Sequence, residues 1–244
     1  MASTANDKIR FPLIEIADSA KAYNFSTDIP ESAHVDMSLI HNVFIRGLNS
    51  IYYYAPRIKQ GDEVSFAGYA LVFTESLHLH HHGEEEILFP FLQEKNDMKH
   101  NIEQHDTFKK PLETFGAYMQ EVFEGKAEYS GDKVRQQIEA FGDILVEHLH
   151  DEISTISPER MAAYDKDGIS KLAEKQVEHI RTFPLFRAHP FVMTHHDTKG
   201  FPAWPPIPPP VKWLTVNVIW WRHKSYWKFS PFTRYGESQE YTDV

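Results

Sequence analysis

The residues of this chain best suited to chemistry are histidines and glutamates at helical spacing. Residues 77–90 read Leu77-His78-Leu79-His80-His81-His82-Gly83-Glu84-Glu85-Glu86-Ile87-Leu88-Phe89-Pro90. On a helix, residues three and four apart are neighbours, so Phe73, Leu77, His80, Glu84 and Leu88 share one stripe. An imidazole and a carboxylate thus stand where core side chains would. The pattern recurs in Phe141, Leu145, His148, Glu152, Ile156 and Pro158, each 68 residues after its counterpart. Two further segments carry a histidine in a similar setting, His41 with Phe44 and Leu48, and His105 with Phe108 and Leu112, offset by 64 residues.

A lone His-x-x-x-Glu on a helix is an ordinary solvated pair, worth about 0.2–0.5 kcal/mol. Two copies flanked by Phe, Leu and Ile on the same stripe are different, because burying ionisable groups without partners is costly. Imidazole nitrogen and carboxylate oxygen suit iron, manganese or zinc. Two His-x-x-x-Glu helices and two single-His helices exceed the needs of one four-coordinate zinc and predict a dinuclear site. Each metal would take two histidines, the glutamates could bridge, and open positions would remain for O₂, NO or peroxide.

The triple histidine admits another register, since His81 and Glu85 also stand four apart. His148 and Glu152 precede Pro158 by ten and six residues, as His80 and Glu84 precede Pro90, which favours His80 and Glu84. His78, His81, His82 and His150 then flank the site as solvated residues or supports for the ligands. His100 lies beside the ligand turn of the third helix. His195-His196-Asp197 could bind metal, although a polar loop is the expected reading.

The elements that must position these residues follow from periodicity and punctuation. Asp28-Ile29-Pro30 opens a first helix that runs to Tyr54, with Met37, Ile40, His41, Phe44, Leu48 and Ile51 inward. A second is expected from Gly61-Asp62 to about Lys95. The third runs from about Lys99 to Glu124, stopped by Gly125 and kinked at Pro111. Ser130 or Asp132 caps the fourth, which is expected to continue to Ile156 before Ser157-Pro158. Short connections favour antiparallel neighbours, so the fold class is all-α, an up-down-up-down four-helix bundle.

A fifth helix is expected over about Asp167 to Arg181. The composition then changes: later residues include the run Trp204-Pro205-Pro206-Ile207-Pro208-Pro209-Pro210 and all five tryptophans. No bundle helix is expected there. Residues 201–210 read as extended, 211–221 as a short helix or strand, and 227–231 as an aromatic strap laid on the bundle. The expected organisation is a lead-in over residues 1–30, a bundle over 31–158, and a fifth helix with a Pro/Trp-rich extension over 159–244.

Composition excludes several classes. The 244 residues include no cysteine, which removes disulfides, thiolate catalysis and iron–sulfur clusters. A formal charge of −10 and a pI near 5.8 argue against nucleic-acid binding and against a polybasic membrane patch. Residues 1–21 carry charges and lack the apolar run of a signal peptide. The apolar stretch from Trp213 to Trp221 falls short of the about 20 residues a bilayer span needs. The expected setting is cytoplasmic and soluble.

The motif His80-x-x-x-Glu84-Glu85 before Leu88-Phe89-Pro90, together with His41, Gln104-His105-x-x-Phe108 and His148-x-x-x-Glu152, resembles the hemerythrin-like, or HHE cation-binding, family. The resemblance covers roughly residues 31–158, and the tail, with Pro190-Phe191-Val192 and residues 227–231, looks like the extension of fungal members. It implies a four-helix bundle around two iron ions bridged by carboxylates and an oxo or hydroxo group. His41, His80, Glu84, His105, His148 and Glu152 carry over as ligands, with manganese or zinc the less expected metals. O₂-carrying members have a second histidine one turn before the His105 position, where this chain has Asn101. They also place an aspartate five residues after the fourth-helix histidine, where this chain has Glu152 at four.

Those departures point away from simple O₂ storage. The leading expectation is a non-haem di-iron protein that binds O₂ or a related small oxidant as a binding or sensing module. One alternative is a di-iron oxidase, oxygenase or peroxidase with a small organic substrate held near Tyr52, Tyr53, Tyr54 and the tail tryptophans. Another is a structural metal bundle whose Pro-rich tail binds a partner.

Overall fold

A computed structural model describes residues 9–239, and the ends of the expected lead-in and extension lie outside that range. Among the described residues the chain is helical, with a lone antiparallel bridge between Phe232 and Ser238. The bundle is built from α1 (Ile29–Tyr54), α2 (Glu63–Gly83) with its continuation, α4 (Lys99–Phe123), and the pair α5 (Gly131–Glu139) and α6 (Gly142–Asp151). Between α2 and α4 stands the short α3 (Phe89–Leu92). After α6 come α7 (Pro158–Met161), α8 (Lys166–Ile180), α9 (Leu185–His195) and α10 (Pro209–Asn217).

The second helix is not the uniform α-helix its periodicity predicts. Residues Glu84–Leu88 form a π-helical turn between α2 and α3, and the Phe89 N–H bonds to the Glu84 carbonyl five residues back. Pro90 supplies the reason. It has no N–H to give Glu86, and its ring would crowd that carbonyl in a regular helix, whereas a widened turn accepts both facts. The widening falls on the glutamates of the motif.

The fourth helix, expected in one piece, is two. Ala140 and Phe141 bond three residues back, to Gln137 and Ile138, and Phe141 leaves the helical region at φ −135°. A Cβ on Gly142 would lie 2.6 Å from the Phe11 ring, so the N-terminal segment presses into this joint. Ser130 caps α5 by accepting from the Lys133 N–H. Glu152–Ile156 then closes as a 3₁₀ turn.

The N-terminal segment is fastened by two buried asparagines of α1. Asn49 accepts from the Arg10 and Phe11 N–H groups and donates to the Phe11 carbonyl, and Asn42 makes the same exchange with Ile14. These side chains give an extended segment the partners that a neighbouring strand would supply.

The tail departs most from expectation. Helix α9 forms where none was expected, starting after Pro184 and running through Pro190. It forms because Phe191 is fully buried against Phe44, Tyr69 and Phe73, and that packing outweighs the weak local propensity. His195 and His196 are buried rather than set in a polar loop. The His195 imidazole is 2.6 Å from the Tyr69 hydroxyl and 2.7 Å from the Phe191 carbonyl, and His196 Nε2 meets the Phe201 carbonyl at 2.9 Å. Residues 211–221 resolve as helix, with α10 followed by a 3₁₀ turn over Ile219–His223.

Trp227 and Phe229 do lie on the bundle. Phe229 is fully buried, with its ring centroid 5.6 Å from Tyr54, 5.2 Å from Phe66 and 5.8 Å from Tyr69. Phe229→Ala is expected to cost about 3–5 kcal/mol in chemical denaturation. A loss below about 1 kcal/mol would mean the strap adds little to the core.

The apolar interior has two parts. The larger includes Leu48, Phe73, Leu77, Phe108, Phe141 and Leu145, and the smaller includes Met37, Leu88, Phe89, Leu92, Met98 and Ile156. On both repeated stripes, the histidine and glutamate stand between a residue of the larger core and a residue of the smaller one.

Candidate metal centre

Seven side chains meet in that intermediate layer. His41 comes from α1, His80 and His81 from α2, Glu84 from the π turn, His105 from α4, His148 from α6 and Glu152 from the 3₁₀ turn. His41, His148 and Glu152 are fully buried, and His105, Glu84 and His81 are 2%, 2% and 6% exposed. Ligand atoms of His41, His80 and Glu84 lie within 4.8 Å of one another, as do those of His81, Glu84, His105 and His148. Glu84 belongs to both groups. Glu152 joins them from the other side, with Oε2 at 3.3 Å from His41 Nε2 and 3.8 Å from His148 Nε2.

The outer nitrogens of the rings fix which nitrogens face inward. His41 Nδ1 lies 2.6 Å from the Leu149 carbonyl, His105 Nδ1 2.9 Å from Glu85 Oε1, and His148 Nδ1 3.2 Å from Gln104 Oε1. Each partner is an acceptor, so Nδ1 carries a hydrogen in all three rings, and in His105 and His148, which burial keeps neutral, Nε2 presents a lone pair. The inner nitrogens point at other imidazoles, His41 Nε2 at 3.1 Å from His80 Nε2 and His105 Nε2 at 2.9 Å from His148 Nε2.

Electrostatics agrees. Burial pushes His80 down to about 4 and His148 to about 3, and it lowers His81 well below its ordinary value with help from His105 and His148. These rings are neutral at neutral pH, the state a metal requires. Burial lowers His41 as well, but Glu152 and Glu84 carry it above the usual value. Glu84 is raised well above the carboxylate range by burial and by Glu152, while Glu152 itself, although burial opposes it, is drawn down to about 2 by His41 and its neighbours.

Both oxygens of Glu84, both of Glu152 and Nε2 of His81 are buried without a hydrogen bond. Such groups cost several kcal/mol unless something satisfies them. Converging imidazole nitrogens and buried carboxylate oxygens without a geometrically sound hydrogen bond are together what a divalent cation satisfies. The donor set therefore fits a metal, with oxygen and nitrogen ligands and no sulfur.

A family model for the hemerythrin HHE cation-binding domain matches residues 35–159. The chain belongs to that family. It is also similar to dimeric xanthone biosynthesis cluster protein R11 of Cryptosporiopsis sp. (strain 8999), 30% identical over 215 residues, covering 84% of this chain and 80% of that protein. No solved structure matches.

Within this hemerythrin-like bundle His41, His80, Glu84, His105, His148 and Glu152 come together. His81, expected beside the site, stands inside one of the two groups. Successive residues on a helix diverge by about 100°, so His80 and His81 straddle the inward direction and address different groups. Its three-residue spacing from Glu84 was the available signal.

The remaining candidates stand further out. Glu85 holds His105 through Nδ1, and His105 and Lys109 keep its carboxyl low against the opposing effect of burial. His150 turns away to the Pro12 carbonyl, and exposed His100 lies 3.4 Å from Asp151. Asn101 is buried, one turn before His105, and its Nδ2 has no hydrogen-bond partner. Gln104, quoted in the motif without a role, links His148 to Asp151. Tyr53 and Tyr54 are core residues packed on each other.

Glu85→Ala should leave the fold intact but free the His105 ring to rotate. Metal affinity is expected to fall by about 10–100-fold. Competition against a chromophoric chelator measures this, and unchanged affinity would remove Glu85 from the support of the site.

A cleft of about 60 Å³ opens on this layer, lined in part by His81, Glu85, His105, Phe108, Lys109 and Leu112. A water needs about 10–15 Å³ of such space, so the cleft admits water and small ligands. A larger surface groove of about 480 Å³, between Tyr23–Ser26 and Ala203–Pro208, is lined by none of the site residues.

Proposed function

We propose that this hemerythrin-like protein holds two iron ions and binds O₂ or a related small oxidant at them. One ion is assigned to His41 and His80, the other to His81, His105 and His148, with Glu84 and Glu152 between them. The observation that carries the reading is the pair of ligand groups sharing Glu84, with imidazole nitrogens opposed at 2.9–3.1 Å in a largely buried layer.

Bound iron would supply redox chemistry and affinity for O₂, NO or peroxide. The chain's own contribution is to keep His80, His81, His105 and His148 neutral, to hold the His41, His105 and His148 rings through Leu149, Glu85 and Gln104, and to limit access to a small cleft. The small size of that cleft favours a diatomic or peroxide ligand over a large organic substrate at the metals. A cytoplasmic setting and a role without turnover belong to the same proposal.

A second reading is an O₂-dependent di-iron oxidoreductase. The observation favouring it is the relative whose name places it in a biosynthesis cluster. In that case an organic substrate would give up electrons without entering the metal layer.

The test is metal content of untagged protein, with its spectrum before and after dithionite and air. About two irons per chain, with bands that bleach on reduction and return with O₂, are expected. A single zinc, or no metal, would overturn the di-iron assignment. O₂ uptake far beyond the iron content, with a reductant present, would select the oxidoreductase.

A further inference from the structure

Exposed apolar side chains are unevenly distributed in this molecule. Eight of the thirteen exposed large hydrophobics among the described residues lie between Val177 and Trp221. Leu214, Val218 and Trp221 form a line, for the Val218 N–H bonds to the Leu214 carbonyl at 2.9 Å and the Trp221 N–H to the Val218 carbonyl at 3.3 Å. Trp213 stands beside them, 62% exposed, while Thr215 faces inward. Phe186 of α9 is linked to this line by Arg222, whose guanidinium carbon lies 5.9 Å from the Phe186 ring centroid.

Charge is unevenly distributed too. Residues 182–244 carry seven Lys or Arg against four Asp or Glu, in a chain whose formal charge is −10. Three of those cations have carboxylate partners: Arg187 with Glu75, Lys199 with Glu237 and Lys228 with Asp62. Arg222, Lys224 and Arg234 have no ion-pair partner among the described residues, and they gather at Trp221. Lys224 Nζ lies 5.8 Å and the Arg234 guanidinium 4.8 Å from that ring. The whole-chain charge conceals this patch, because the acidic bundle outweighs it.

We infer that this face docks on an anionic lipid surface, with Trp213, Leu214, Val218 and Trp221 entering the interface and Arg222, Lys224 and Arg234 meeting the headgroups. Tryptophan beside aliphatic residues, rimmed by cations, is the chemistry of interfacial binding without a span. No helix among the described residues is long and apolar enough to cross a membrane. A second copy is a poor occupant, since two-fold contact on this face would oppose the same uncompensated cations. The acidic remainder of the chain would be held away from such a surface, which fixes the orientation.

The experiment uses the full chain with phosphatidylcholine vesicles, with and without phosphatidylserine, read by sedimentation and tryptophan emission. Binding is expected to the anionic vesicles, with a blue shift, and to weaken with salt. Arg222→Glu with Lys224→Glu should reduce it by at least about fivefold for each cation, and Trp213→Ser with Trp221→Ser should abolish the shift. Far-ultraviolet circular dichroism and metal content should stay unchanged in both variants, since all four side chains are exposed. No binding to anionic vesicles, equal binding to neutral ones, or an oligomer dispersed by Trp221→Ser would overturn the inference, the last by showing that protein covers this face.

Discussion

Glu84→Leu is expected to empty both metal positions at once while making the metal-free protein more stable. Among the described residues Glu84 is the one carboxylate that belongs to both groups, so its loss weakens each. A single-histidine variant such as His41→Ala should deplete one position more than the other. The stability effect has the opposite sign because Glu84 is buried with both oxygens lacking hydrogen bonds, and burial has already pushed its carboxyl well above the ordinary range. Leucine of similar bulk relieves that cost and joins Leu77 and Leu88 on the same stripe. A gain of about 1–3 kcal/mol in the metal-free form is the scale of the penalty that an unsatisfied buried polar group carries.

With metal present the order should reverse. Ligand bound only to the native state adds about 4 kcal/mol at a thousandfold excess over its dissociation constant, and the variant should show none of it. Denaturant titrations of both proteins, with and without a chelator, give the four values needed. A variant less stable than the wild type even without metal would mean that Glu84 is structurally satisfied, and the argument from bare oxygens would fail.

The same balance explains what could be read from the sequence. The repeated stripes Phe73-Leu77-His80-Glu84-Leu88 and Phe141-Leu145-His148-Glu152-Ile156 carry their own context, since flanking apolar residues state that the polar pair is buried. The main helices and the convergence of His41, His80, Glu84, His105, His148 and Glu152 were therefore legible. Two kinds of feature were not. Helix α9 depends on Phe191 finding Phe44, Tyr69 and Phe73, contacts more than a hundred residues away, and its prolines argued locally against it. The joint at Phe141 and Gly142 depends on Phe11 pressing on it from the N-terminal segment. Local pattern reports which face of an element is buried; it cannot report which distant side chain deforms it.

His81 tests the site reading most sharply, because the helical repeat alone sets it aside. His81→Ala is expected to lower metal binding at one position and leave the His41 and His80 position occupied, halving the metal content. The variant removes a buried ring whose Nε2 has no hydrogen bond, so the fold should tolerate it. Asn101 then offers a restoration. It is buried on α4 one turn before His105, with an unpartnered Nδ2, and residues four apart share a helix face. Asn101→His in the His81→Ala background should therefore recover metal at the depleted position, in the place where O₂-carrying relatives are expected to have a histidine. Metal analysis of the single and double variants, with the visible spectrum as a second reading, decides the matter. Full occupancy in His81→Ala would show that the His105 and His148 position closes without it. Recovery in the double variant would show that one histidine, supplied from either α2 or α4, completes the same centre.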